Sequence, residues 1–239
     1  MQKTLLIALT LVTLSFTLKK KITPPGTVYV KENFYADVAE VSNFGWLEYE
    51  NDIKNKFGVN SQEYKEVLPD TTVWRSKKNY NEPYVQYYYR HIAYRDYPVV
   101  GITQEQAINY CKWRTEKVKS FYFAKHKKEL NIRYRLPSEE EWDYLNSFTY
   151  KKTNHYFLDT TETVAQHPDV TRPVHKGYPN KLKLYNLVGN VAEMVAEPNI
   201  CKGGGFLNRP WQIVPGKQLK YNEPKAWLGF RCVCDYIIK

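Results

Sequence analysis

Residues 185–195 carry the side chains of this chain that could bind a metal. Their sequence, YNLVGNVAEMV, places an amide at Asn186, a turn-forming glycine at Gly189 and a carboxylate at Glu193. Calcium in proteins takes about six to eight oxygen ligands, commonly from carboxylates, amide side chains and backbone carbonyls presented by a turn. The side chains of Asn186 and Glu193, with the backbone carbonyls of Gly189 and Val191, could supply that mixture. The segment therefore predicts a structural calcium site. The alternative is that Asn186 and Glu193 tie the loop by hydrogen bonds to backbone amides.

Two other motifs contain residue types found in active sites but lack the neighbouring residues that such sites need. Glu139, Glu140, Glu141 and Asp143 could form an acid–base group. They fit better as the negatively charged first turn of a helix, which the helix dipole favours. The glycines at 203–205 are not followed by the Lys-Ser or Lys-Thr pair of a phosphate-binding loop. Close approach of two backbone segments explains them better. We therefore predict no catalytic residues in either motif.

The elements that position these residues mix helices with short strands. Residues 27–30 and 34–38 have the composition of strands. Helix N-termini are indicated by N-cap and capping-box residues, namely Ser42, Thr103 with Gln106, and Ser138 with Glu141. Residues 146–183 have little periodicity, which predicts long loops there. With 239 residues and 43% hydrophobic content, one large α+β domain is expected.

The N-terminus has the pattern of an export signal. Lys3 is followed by the apolar residues 4–18, which end in small residues suited to cleavage. This run is too short to favour a membrane-spanning helix, although an uncleaved anchor is the alternative because three lysines follow it. We predict a periplasmic or outer-membrane-associated protein. Its predicted divisions are a signal peptide at 1–18, an N-terminal segment at 19–33 and a domain at 34–239.

The chain is strongly basic, with a formal net charge of +10 at pH 7. Such a charge raises the question of nucleic acid, but an exported protein does not meet that partner. The same charge would attract anionic lipid head groups, cell-wall polymers or an acidic protein. The alternative is a solvated lysine surface that keeps the protein soluble.

Tyrosine is abundant, and seven tyrosines fall between Tyr80 and Tyr97. Each offers a large apolar face with a polar tip, which suits an interface. The alternative is ordinary packing of a loop layer.

Five segments in register resemble one protein family. They are PVVGITQEQAINYCKWRT at 98–115, YRLPSEEEWDYL at 134–145, YNLVGNVAEMV at 185–195, KGGGF at 202–206 and LGFRC at 228–232. In this order they resemble the formylglycine-generating-enzyme and sulfatase-modifying-factor family across residues 34–234. The resemblance implies an irregular, loop-rich α+β fold of C-type-lectin-like type with a small antiparallel sheet. It also assigns Asn186, Gly189, Val191 and Glu193 to one calcium ion. A second calcium site of the family would draw on the loop near Asn154 and Asp159, where the resemblance assigns no individual ligand.

The resemblance also shows what this chain lacks. Enzymes of the family bind copper through two cysteines after the glycine segment, but no cysteine lies between Gly205 and Gly229. Soft thiolates are the ligands that select Cu(I). The iron-dependent branch needs an H-x-x-x-H-x-E cluster, and the five histidines do not have that spacing. They are His91, His126, His155, His167 and His175. We therefore predict that the chain is not an enzyme.

A non-catalytic branch is the better match. LPDTTVW at 68–74, YNEPYVQYYY at 80–89 and HIAYRDYPVVG at 91–101 resemble GldK-type and GldJ-type lipoproteins of gliding-motility and type 9 secretion machinery. The resemblance implies a periplasmic scaffold with protein partners in an envelope complex. It does not imply their lipid anchor, because no cysteine precedes Cys111. The alternatives are a lectin-like ligand-binding protein and a formylglycine-generating oxidase.

Four cysteines in an exported chain predict disulfides, because the envelope is oxidising. The family resemblance pairs Cys111 with Cys232. Cys201 and Cys234 would then pair with each other, since both are expected to flank neighbouring strands. The alternative is that these two are buried free thiols.

Overall fold

The computed structural model describes residues 22–76, 80–149, 171–208 and 216–237. Within these ranges the chain forms eight strands and five α-helices, with short 3-10 helices at Thr71–Trp74 and Ile92–Tyr94. The α-helices are α1 (Asn43–Phe57), α2 (Gln62–Glu66), α3 (Glu82–Tyr87), α4 (Gln104–His126) and α5 (Glu139–Ser147). The strands are β1 (Thr27–Lys31), β2 (Phe34–Asp37), β3 (Ile132–Arg135), β4 (Ala192–Met194), β5 (Ile200–Lys202), β6 (Leu219–Lys220), β7 (Leu228–Gly229) and β8 (Val233–Tyr236).

The first sheet joins the two ends of the described chain. Its strand order is β1-β2-β8-β3, and all three pairs are antiparallel. Cys234 in β8 lies opposite Tyr35 on one side and Tyr134 on the other. Because β1 pairs with β2, the predicted N-terminal segment at 19–33 contributes a strand to the domain.

The second sheet carries the candidate metal segment. Its strand order is β6-β5-β4-β7. The sequence predicted one small antiparallel sheet, whereas the structure has two, and β4 pairs with β7 in parallel. Such short strands give little periodicity from which a second sheet could be recognised.

The helices begin where the capping residues predicted. Gly45 N donates to Ser42 Oγ at 3.2 Å, which starts α1. Both capping boxes form, with Gln106 N donating to Thr103 Oγ1 at 3.1 Å and Glu141 N donating to Ser138 Oγ at 3.2 Å. These local hydrogen bonds satisfy amide groups that the first helical turn leaves unpaired.

Aromatic rings fill much of the core. Trp46 stacks on Tyr110 with ring centroids 5.4 Å apart. In the tyrosine-rich stretch, Tyr88 is fully buried and its ring lies 4.5 Å from that of Trp74. Tyr80 and Tyr87 remain exposed. Packing therefore accounts for the centre of the stretch, and its exposed members leave the interface interpretation open.

Several sequence predictions fall outside the described residues. These are the signal peptide at 1–18 and the loop holding Asn154 and Asp159. Between residues 171 and 183 the chain is described, and it contains no helix or strand, as predicted there. In the described ranges no helix is both long and apolar enough to cross a membrane.

The cysteines fall into two separate situations. Cys111 in α4 and Cys232 before β8 have Sγ atoms 3.3 Å apart and are both buried free thiols. Oxidation could join them with little side-chain movement. The expectation that Cys201 and Cys234 flank neighbouring strands is wrong, because β5 and β8 belong to different sheets. A disulfide between Cys201 and Cys234 stays a prediction, but neighbouring strands no longer support it.

We predict a disulfide between Cys111 and Cys232 when the protein folds under oxidising conditions. The bridge would close a loop of 121 residue steps, which stabilises by about 4 to 5 kcal/mol in the chain-entropy model. Cys111→Ser and Cys232→Ser should therefore destabilise similarly, and the double variant should lose little more. Peptide mapping under non-reducing conditions checks the bond. Recovery of Cys111 as a free thiol, or bridged to Cys201, would refute it.

Candidate functional site

A fully buried ion pair lies at the centre of the candidate metal segment. Arg231 Nε and Nη2 donate to the Glu193 carboxylate at 2.7 and 2.5 Å. Both side chains have 0% exposure. Burial alone would lower the pKa of the Arg231 guanidinium, but the Glu193 charge outweighs it and raises that pKa. Two such charges are tolerated inside a protein only when they are paired and fully hydrogen-bonded.

Both members of the ion pair have further partners. Trp142 Nε1, from α5, donates to Glu193 Oε2 at 2.7 Å. Arg231 Nη1 donates to the Asp37 carbonyl at 3.2 Å and Nη2 donates to the Tyr185 carbonyl at 2.7 Å. The ion pair therefore links α5, the end of β2 and the loop that precedes Asn186.

The contacts continue from β2 to α4. Arg114 donates to both Asp37 carboxylate oxygens, at 2.7 and 2.9 Å. The Cys232 amide adds a third bond to Asp37 Oδ2 at 3.0 Å. We call this continuous set of contacts the buried polar network. Its members are Arg114, Asp37, Arg231, Glu193 and Trp142.

A second buried carboxylate lies beside the network and was missed by the sequence analysis. Glu40 accepts from Asn186 Nδ2 at 3.0 Å and from Asn190 Nδ2 at 2.9 Å. Burial raises the pKa of Glu40 to about 8; the Arg231 charge opposes this rise and the Glu193 charge adds to it. A single acidic residue in the apolar run after β2 was the signal that could have found it.

The candidate metal segment is bent as the calcium hypothesis requires. Asn186, Gly189 and Asn190 all have positive φ, at 50°, 88° and 58°. Asparagine and glycine tolerate this left-handed region better than other residues. The turn lies against Gly203, whose carbonyl accepts from Gly189 N at 3.0 Å. A Cβ at Gly203 would lie 2.5 Å from the Leu187 carbonyl oxygen, so close backbone approach explains this glycine as predicted.

The predicted ligands are near one another but already have protein partners. Glu193 is bonded to Arg231 and Trp142, while Asn186 Nδ2 donates to Glu40 and to the Val174 carbonyl. This arrangement matches the alternative in which the two side chains tie the loop, although their partners are not backbone amides. A calcium ion at this position would have to share the Glu193 carboxylate with Arg231, which already donates to both of its oxygens. The described ranges contain no cluster of three or more His, Cys, Asp or Glu side chains suited to a metal.

The acidic residues of α5 have a structural role. Glu139, Glu140 and Glu141 form its first turn, as predicted. Lys202 is fully buried, and its Nζ lies 3.1 Å from Glu139 Oε1 and 3.0 Å from Asp143. These carboxylates therefore neutralise a buried lysine that joins α5 to β5.

The cysteines are in environments that suppress reactivity. Burial raises the pKa of both Cys201 and Cys234 to about 12. Burial also raises the pKa of Cys232 well above its usual value. Because the thiolate is the form that attacks and binds metals, these thiols are held in their unreactive form.

This fold and its motifs correspond to a known family. Residues 10–236 match the model of the sulfatase-modifying factor enzyme 1-like domain. The chain therefore belongs to that family. A comparison with curated proteins found no match.

Three of the solved structures that match this chain share little sequence identity with it. Treponema denticola variable protein 1 is 13% identical, with a TM-score of 0.52 and coverage of 90% of this chain and 93% of its own. CarF is 13% identical, with a TM-score of 0.49 and coverage of 89% and 96%. PvdO from Pseudomonas aeruginosa is 20% identical, with a TM-score of 0.45 and coverage of 59% of this chain. This chain spans 63% of PvdO. At 13% identity, the likeness to the Treponema denticola protein concerns the fold alone.

We predict that neutralising Glu193 strongly destabilises the protein. Glu193→Gln keeps the shape but leaves the Arg231 charge buried without its partner, which costs about 3 to 5 kcal/mol. The control, Glu48→Gln, changes an exposed carboxylate of α1 and should stay within about 0.5 kcal/mol of wild type. Urea denaturation measures both free energies of unfolding.

A double variant tests whether the loss comes from the pair. Glu193→Leu with Arg231→Met should lose less than the sum of the single losses, because neither charge is left alone. Additive losses, or a Glu193→Gln protein as stable as wild type, would contradict the role assigned to the ion pair.

Proposed function

We propose that this chain is a non-catalytic member of its family that serves as a scaffold or assembly component in the cell envelope. One observation carries the proposal: no cysteine lies between Gly205 and Gly229, where the resemblance places the copper ligands of the enzymes. Without thiolates in that interval, the chain lacks the soft ligands that copper chemistry needs.

The cysteines present elsewhere do not replace those ligands. All four are buried, and burial raises the pKa of Cys201 and Cys234 to about 12. Cys111 and Cys232 lie within the hydrophobic core, with their Sγ atoms 3.3 Å apart. A catalytic cysteine needs an exposed, electropositive setting that stabilises its thiolate. The environments of Cys201, Cys232 and Cys234 favour the thiol, which supports a non-catalytic role.

The charged residues of the family motifs have a role in folding instead. Glu193 and Arg231 are fully buried and bonded to each other. Such a pair can hold two sheets in one arrangement without contacting a substrate. Folding therefore accounts for these motif residues, and no substrate is needed to explain them.

Envelope location and partners form the second half of the proposal. The apolar residues 4–18 after Lys3 are typical of an export signal. The resemblance to gliding-motility and type 9 secretion proteins suggests protein partners in an envelope complex. The net charge of +10 would favour acidic partners or anionic surfaces.

Two measurements on the purified protein test the proposal. First, protein loaded with Cu(I) should leave a sulfatase-type cysteine peptide unmodified, as followed by mass spectrometry with a no-protein control. Aldehyde formation above that control would overturn the non-catalytic role. Second, cross-linking in the native envelope followed by purification should recover the chain in a complex with specific proteins. Recovery as a monomer that binds only glycans would favour the lectin-like alternative.

We also propose that the turn at Asn186 and Gly189 binds calcium when Glu193 shares its carboxylate with the ion. Calcium that binds only the folded state raises stability by mass action, by about 2.7 kcal/mol at one hundred times its Kd. Chelation should therefore lower the Tm of the wild-type protein.

The calcium test must compare each variant with itself. Glu193→Ala destabilises even without calcium, because it leaves Arg231 unpaired, so its Tm alone is uninformative. The difference in Tm with and without calcium should vanish in Glu193→Ala and persist in Glu48→Gln. Identical wild-type melting curves in calcium and in chelator would exclude the site.

A further inference from the structure

The C-terminal end of α4 is exposed and aromatic. Phe121 is 69% exposed and Phe123 is 53% exposed. Ser120 and Ala124 are also exposed, so the helix end stands clear of the core. Because residues two positions apart lie on different sides of a helix, Phe121 and Phe123 present exposed rings on two sides of this helix end.

Lysines surround these aromatic rings. They are Lys117, Lys119, Lys125, Lys127 and Lys128. Lys117 is held by Asp52 at 2.6 Å and Lys119 by Glu116 at 3.3 Å. Among the described residues, the other three form no salt bridge. Lys125 follows Phe121 by four positions, so the two side chains lie on the same helical face.

The end of α1 lies at the same end of the molecule. Trp46 packs on Tyr110, and further along both helices Asp52 pairs with Lys117. The two helices therefore run in the same direction, and their C-terminal ends are adjacent. Phe57, the last residue of α1, is 42% exposed. Lys54 and Lys56 lie in the same last turn.

On the Phe123 side of α4, exposed apolar residues extend to the first described residue. Phe123 and Asn131 line a cleft of about 380 Å³. Ile237 N donates to the Asn131 carbonyl at 2.9 Å, and Ile237 is 48% exposed. The neighbouring Tyr236 hydroxyl donates to the carbonyl of Ile22, which is 42% exposed. We call this region the aromatic–basic surface. It comprises Ile22, Phe57, Phe121, Phe123, Lys125, Lys127, Lys128 and Ile237.

The sequence before Ile22 indicates what covers this surface. Residues 4–18 are apolar and are followed by Lys19, Lys20 and Lys21. The chain between residue 18 and Ile22 can span at most about 14 Å when extended. Wherever residues 4–18 enter a bilayer, the aromatic–basic surface lies within reach of the lipid head groups.

We propose that the aromatic–basic surface contacts a membrane rich in anionic lipids. Aromatic side chains favour the boundary between head groups and acyl chains, while lysines extend to the phosphates. Juxtamembrane lysine clusters are attracted by the negative surface potential of such a leaflet. The inference depends on the proposed envelope location and on residues 4–18 staying attached as an anchor, but not on the absence of catalysis. Lipid contact can therefore fail while the scaffold role stands.

The test uses the full chain with an environment-sensitive dye at Ser120→Cys. The native cysteines are all buried, so the dye reacts with the new exposed thiol. Vesicles of phosphatidylglycerol and phosphatidylcholine should shift the dye emission to the blue, whereas pure phosphatidylcholine should not. Replacing Lys125, Lys127 and Lys128 by Gln should weaken the lipid-dependent shift at least tenfold in vesicle concentration. Variants should keep the wild-type Tm.

A second labelling position provides the matched control. Ile92 is 69% exposed and lies near the start of α1, where Phe44 N donates to the Arg95 carbonyl. A dye at Ile92→Cys should not respond to vesicles. Flotation of the protein with vesicles without a shift at position 120 would show that the apolar N-terminal residues alone hold it, and would overturn the proposal. An equal shift on neutral vesicles, or a concentration-dependent shift without lipid, which indicates pairing of two copies, would also overturn it.

Discussion

The buried ion pair between Glu193 and Arg231 is the contact on which the two-sheet arrangement depends. Glu193 is in β4 of the second sheet, and Arg231 lies in the segment that leads into β8 of the first. Moving two charges out of water costs several kcal/mol for each ion, and only their mutual attraction and further hydrogen bonds offset it. Both ions have such bonds, from Trp142 and to two backbone carbonyls. A sliding of one sheet against the other would leave a charge unpaired, so the sheets have one acceptable arrangement.

The same constraint extends to α4 through Asp37. Its carboxylate accepts from Arg114 and from the Cys232 amide, while its carbonyl accepts from Arg231. This places Cys232 against α4, where Cys111 meets it at 3.3 Å. The proximity of the two thiols is therefore a consequence of the polar contacts around them. An oxidised bridge would reinforce an arrangement that the buried polar network already specifies.

The sequence predicted the local features and missed those that depend on long-range contacts. Ser42, Thr103 and Ser138 cap their helices because the bonds involved span three residues. Glu40 could not be assigned a role, because its partners Asn186 and Asn190 lie about one hundred and fifty residues away. For the same reason, the expectation that Cys201 and Cys234 flank neighbouring strands was wrong: the order of strands is set by tertiary packing, and the two cysteines lie in different sheets. For calcium, the turn was foreseen correctly, but the competition from Arg231 for Glu193 was not.

A motif can therefore identify a family without identifying its chemistry. The motifs GNVAE at 189–193 and LGFRC at 228–232 contact each other. Their charged residues, Glu193 and Arg231, form a fully buried ion pair. Since these residues are needed for the fold, they would be present in a member that has lost catalysis as well as in one that retains it. Activity has to be judged from groups that folding does not require. Two features of this chain meet that condition. One is the sequence between Gly205 and Gly229, which contains no cysteine. The other is the set of exposed aromatic and lysine side chains at the end of α4. The proposed lack of copper chemistry rests on the first, and the proposed membrane contact rests on the second.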